Sequence, residues 1–124
     1  METTAKFSVS ATGESTGKSY AGDFVVKTVL TRRDIFVADE RRRIIVGSNA
    51  EAVPPALNGE AFMLGQLLVR IVDAPDWWKT SDGGMNIEDA NIIGELFRLT
   101  LEREEERLVK LKESSKKALK ELSK

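Results

Sequence analysis

The segment Gly13-Glu14-Ser15-Thr16-Gly17-Lys18-Ser19 carries the residue types of a phosphate-binding loop, with glycines, a lysine and hydroxyls in close succession. In such a loop, backbone N–H groups cradle phosphate oxygens while the lysine and the final hydroxyl serve the terminal phosphates and Mg²⁺. The spacing does not match. Four residues must separate the two glycines, whereas three do here, and Thr12 stands at the required first position. The context does not match either, because a phosphate-binding loop opens a helix, and Tyr20 to Leu30 alternates as a strand. The segment therefore reads as a hairpin loop rather than a nucleotide site.

Other candidates weaken in the same way. Asp73/Asp76, Asp82 and Glu88/Asp89 could do acid–base work or hold a divalent ion. Asp82-Gly83-Gly84 lacks the alternating oxygen ligands of a calcium loop, and loop ends and helix caps account for each acid. With no His and no Cys in 124 residues, zinc fingers, disulfides, thiol nucleophiles and histidine triads are out of reach. No catalytic residue, metal ligand or cofactor is expected, and the chain reads as a non-enzyme. A net charge of −1 argues against nucleic acid as a partner, since that affinity rests on neutralising many phosphates.

What remains is contact chemistry. Trp77-Trp78 either seals the core or anchors a partner, tryptophan being enriched at interface hot spots. Arg41-Arg42-Arg43, near Arg32 and Arg33, either forms a salt-bridged solvated face with Asp34, Asp39 and Glu40 or steers an acidic partner. Phe97, Leu101, Leu108 and Leu111 lie on a stripe of alternating four and three spacing, completed by Glu104, Ser115, Ala118 and Leu122. That is a heptad seam with two polar lapses.

The elements that must position these residues form an α+β chain, an N-terminal antiparallel β-hairpin followed by about three α-helices, the last long and extended. Period-2 alternation of Phe7, Val9 and Ala11, and of Tyr20, Phe24 and Val26, predicts a hairpin over 6–30. A helix follows over 32–46, with Thr31 and Asp34 as a capping box and Gly47 as its stop; Ile35, Phe36, Ala38 and Ile45 are its expected inward stripe. The next helix is expected at 59–73 with Asn58 as N-cap, apolar all round and hence buried, with Arg70 its lone charge. A Trp-bearing loop leads to a helix over about 87–101, completing a small domain of residues 1–101. Residues 102–124 form a charged helical extension with eight bases and six acids.

Met1-Glu2-Thr3-Thr4 lacks a signal-peptide pattern, and Ala61–Val72 falls short of a membrane span, so neither export nor a membrane is expected. The order of elements, with Val29-Leu30-Thr31-Arg32-Arg33-Asp34, Val69-Arg70-Ile71-Val72-Asp73-Ala74-Pro75 and Trp77-Trp78, resembles small tail assembly chaperones of long-tailed bacteriophages across residues 6–101. The resemblance implies a host-cytoplasmic protein that binds the tape measure protein and recruits tail-tube protein. It also implies absence from the finished virion and, often, a second, frameshifted form. A structural accessory subunit of the phage head, neck or tail is the alternative, with the hairpin extending a neighbour's sheet. A homo-oligomer is compatible with both.

Overall fold

The computed structural model describes residues 2–123. The chain is α+β: a three-stranded antiparallel sheet, its strands side by side in chain order, is covered on one face by helices. Strands β1 (Thr4–Thr12) and β2 (Ser19–Lys27) form the expected hairpin, with Phe7 opposite Phe24 and Val9 opposite Gly22. Because side chains alternate across a strand, Phe7, Val9, Tyr20, Phe24 and Val26 all enter the core, while Lys6, Ser8, Ser10 and Asp23 stay in water. The rings of Phe7 and Phe24 stack at 5.2 Å across the strand pair.

Helix α1 (Arg32–Val46) has the expected ends. The Thr31 hydroxyl accepts from the Asp34 N–H, and the Asp34 carboxylate accepts from the Thr31 N–H, so two orphan donors of the first turn are satisfied together. Gly47 closes the helix at φ 81°, its N–H donating to the Arg43 carbonyl. The expected inward stripe is only partly right. Ala38 is buried and Ile45 half-buried, but Phe36 is 70% exposed and Ile35 lies at the surface. The reason is the mode of packing. Helix α1 rests on the next helix, α2 (Pro55–Arg70), rather than on the sheet, and the crossing is built from small residues. A Cβ on Gly65 of α2 would lie 2.4 Å from the Ala38 carbonyl oxygen, so the backbones touch and little apolar side chain is needed.

Helix α2 spans Pro55–Arg70, starting earlier and ending earlier than expected. Pro55 occupies the first turn, where a missing N–H costs nothing. Asn58 therefore lies inside the helix, its amide donating to the Val53 carbonyl. At the other end, Ile71–Asp73 leaves the helix as β3 and pairs with Val25 and Val26 of β2. The helix is not buried all round: Leu64 and Leu67 face the core, whereas Phe62 and Leu68 are exposed. A short helix α3 (Asp76–Lys79) carries both tryptophans.

Helix α4 runs unbroken from Ala90 to Leu122. It starts later than the expected 87 and continues straight through residue 102. Ile92, Ile93, Leu96 and Thr100 close the core against the sheet and α2. Arg70, buried at the end of α2, donates to Glu104 at 2.6 Å and to Gln66 at 3.0 Å, so its charge is paired rather than stranded.

α4 also guards the free edge of the sheet. Thr28 N–H to Thr3 carbonyl and Gly13 N–H to Lys18 carbonyl bonds turn the odd-numbered backbone groups of β1 toward β2. Even-numbered carbonyls therefore face outward, and α4 side chains take them: Asn91 donates to Thr12, Arg103 to Lys6 and Arg107 to Glu2. The strides match, since twelve helical residues rise about 18 Å and six strand residues about 20 Å. Occupied edge carbonyls make strand addition harder.

The Ala38–Gly65 crossing predicts that Gly65→Ala destabilises the protein by about 1–3 kcal/mol through overpacking. A Cβ added to Gly94 in α4 would meet nothing within 4 Å, so Gly94→Ala should stabilise by about 0.5–1 kcal/mol through helix propensity. Urea unfolding of both variants checks the pair; a neutral Gly65→Ala would contradict the close crossing.

Candidate interaction surfaces and an internal anion nest

The loop at 13–18 does bind an anion, and the anion belongs to the chain. Asp89, wholly buried at the start of α4, points its carboxylate into the loop. Its Oδ1 accepts from the Ser15 N–H (2.8 Å) and the Thr16 N–H (3.0 Å). Its Oδ2 accepts from the Thr16 hydroxyl (2.6 Å) and the Tyr20 hydroxyl (2.7 Å). A carboxylate offers about four lone-pair sites, so this one is saturated. Successive N–H groups in a tight loop form an anion-binding concavity. Gly13 makes room for it, because a Cβ there would meet the Asp89 Cγ at 2.2 Å. Asn91 holds the same loop by accepting from the Glu14 N–H at 3.0 Å, and Lys18 meets Glu88 at the surface.

These donors set the charge state. Hydrogen bonding from Thr16, then from Tyr20 and the two N–H groups, outweighs burial and holds the Asp89 carboxyl at about 2. The same contact pushes the Tyr20 hydroxyl above its ordinary value, because the proton it would lose is the one it donates to Asp89. The sequence suggests a helix cap for Asp89. It sits at the N-cap position, but its side chain makes no bond to its own helix and serves the hairpin loop instead.

The tryptophans are core elements. Trp78 is buried, with its ring edge-on to Phe24 at 6.3 Å. Trp77 is half-buried between Tyr20 and Phe24, and its indole N–H donates to the Ala21 carbonyl at 2.9 Å. The arginine cluster is engaged locally. Arg42 and Arg43 both pair with Asp39, while Arg41 is half-buried and reaches Asp82. Among the described residues, no group of three acids, His or Cys is placed to hold a metal ion.

The remaining candidates lie on α4. Phe97 is half-buried, edge-on to the exposed Phe62 at 6.1 Å. Leu101, Leu108 and Leu111 are exposed, and every described residue from 108 to 123 is at the surface. The helix thus passes the end of α2 at Arg70 and the start of β1 near Arg107, and then projects alone. Sequence reasoning misses a second apolar surface: Phe36, Val37 and Ile44 lie on the side of α1 away from α2, with Ile44 65% exposed. Ile44 stands about two helical turns beyond Phe36 and Val37, which is visible in the sequence, but not which of the two apolar sides α2 takes.

No helix among the described residues is long and apolar enough to cross a membrane. Comparison with family models, curated proteins and solved structures finds no match to this chain.

The Asp89 nest predicts a specific acid response. A carboxyl held at about 2 in the folded chain and near 4 when unfolded stabilises the fold fully above pH 4. That contribution is lost as pH falls from about 4 toward 2. Asp89→Asn should lower the melting temperature at pH 7 by roughly 5–10 °C and flatten its dependence between pH 4 and 2. Thermal scans across that range check it, and an unchanged acid slope would contradict the nest.

Proposed function

We propose that this protein is a non-enzymatic tail assembly chaperone of a long-tailed bacteriophage. In this reading it works in the host cytoplasm, holds the tape measure protein through apolar helical surface and helps recruit tail-tube protein. The resemblance in residues 6–101 supplies the class of client. The observation that carries the reading is the bare end of α4, where leucines recur along a helix that no other element of the fold covers.

An isolated helix of about fifteen residues is marginal in water, because nucleation is costly and little apolar area is buried. Packing along a partner helix removes that handicap. A tape measure protein, being a long helical rod with apolar seams, offers the complementary stripe. The Phe36, Val37 and Ile44 side of α1 gives a second apolar surface on the same domain. Trp77 and Trp78 are spent on the core in this account and act by stiffening the domain that carries α4.

The alternative, a structural subunit that joins its neighbour by β1 edge pairing, is disfavoured by the three α4 side chains seated on the edge carbonyls. Co-expression with the tape measure protein of the same genome tests the chaperone reading. Soluble tape measure protein should rise several-fold and co-purify, and Leu108→Glu with Leu111→Glu should remove the gain. Unchanged solubility with no co-purification would overturn the reading. Abundant peptides of this chain in purified virions would favour the structural subunit.

A further inference from the structure

The bare stripe of α4 has a charge pattern that also suits a second copy of the same helix in one orientation. Over residues 101–107, Glu102, Glu104, Glu105 and Glu106 outweigh Arg103 and Arg107, leaving −2. Over 112–118, Lys112, Lys116 and Lys117 outweigh Glu113, leaving +2. Two copies of this helix side by side in the same direction set like on like; in opposite directions they set each segment against its complement.

The seam's two polar lapses fix the register. In an antiparallel pair with its dyad midway between Leu108 and Leu111, Leu108 opposes Leu111 of the second copy and Leu101 opposes Ala118. In the same register Phe97 opposes Leu122, beside the exposed ring of Phe62. Glu104 then opposes Ser115, whose hydroxyl donates to a carboxylate already neutralised by Arg70. Shifting the pair by one heptad sets Glu104 against Leu108 or Leu122. A parallel pair sets Glu104 against Glu104.

Flanking charges agree with this choice. The other charges over residues 102–107 are used within the chain: Glu102 by Arg98, Glu106 by Arg103, Glu104 by Arg70 and Arg107 by the Glu2 carbonyl. Among the described residues, neither Glu105 nor Lys112 meets an ion-pair partner, and the antiparallel register brings Glu105 beside Lys112 of the other copy, twice. In a parallel pair Lys112 would instead face Arg107. We infer that two copies of this protein associate through antiparallel pairing of α4 across residues 97–122, centred between Leu108 and Leu111. The inference holds whatever the client of the monomer is.

Sedimentation equilibrium of the full chain, with Glu105→Lys, Lys112→Glu and the double variant, tests it. All these positions are exposed, so folding is not at stake. The wild type should dimerise, and each single change should weaken the dimer about tenfold, since the dyad converts two attractions into two repulsions. The double variant should return to within about threefold of wild type. A wild-type monomer at every concentration would overturn the inference. So would a dimer indifferent to both single changes, a double variant as weak as the singles, or a dimer tightened by Lys112→Glu, the parallel signature.

Discussion

The fold turns on one buried carboxylate. Asp89 lies 73 residues along the chain from Thr16, and its four hydrogen bonds tie the tip of the hairpin to the start of α4. The sheet alone is two long strands and a three-residue third, too little to stand unaided. Fixing α4 at Asp89 sets its inner face, Ile92, Ile93, Leu96 and Thr100, over Phe7 and Phe24, and Asn91 begins the row of side chains along the β1 edge. An ionised group can be buried there only because every lone pair is matched, which is also why its acidity is raised rather than lowered.

α4 consequently does two jobs along one axis. Its first half is a core helix, pinned by Asp89 at its start and by Arg70–Glu104 near the end of α2. Its second half leaves the domain carrying onward the flank marked by Phe97 and Leu101, as Leu108 and Leu111, past the last element that touches the helix. An apolar stripe carried past the end of the core is the physical basis for reading the chain as a binding protein. The polar lapses at Glu104 and Ser115, which weaken a seam in isolation, become a means of choosing a register once a second helix is present.

Much of this is legible in local signals. Alternation over Phe7–Ala11 and Tyr20–Val26 specifies the hairpin, and Thr31, Asp34 and Gly47 specify both ends of α1. Where the outcome depends on distant partners, local signals run out. Pro54-Pro55 reads as a loop breaker, although a proline in the first helical turn is compatible with helix. Ile71–Asp73 is too short to show a period and becomes a strand only because β2 offers an edge. Phe36 reads as inward because nothing local reveals that α1 meets α2 through Ala38 and Gly65. The 13–19 loop resembles a phosphate cradle for a sound reason, since it is an anion nest, but its occupant is a residue whose local context suggests only a cap. The stripe at Phe97, Leu101, Leu108 and Leu111 is legible from spacing alone, whereas its exposure, with Phe97 half-buried and Leu101 onward at the surface, requires the fold.

In the proposed reading, residues 108–122 of α4 form an interaction element that is stabilised by being covered. Amide hydrogen exchange measured along α4, at low and high protein concentration and with tape measure protein present, reports that covering residue by residue. Strong protection of 92–104 is expected throughout, with protection of 108–122 weak in dilute protein and rising with concentration or with the proposed client. Rapid exchange of 108–122 under every condition would contradict it.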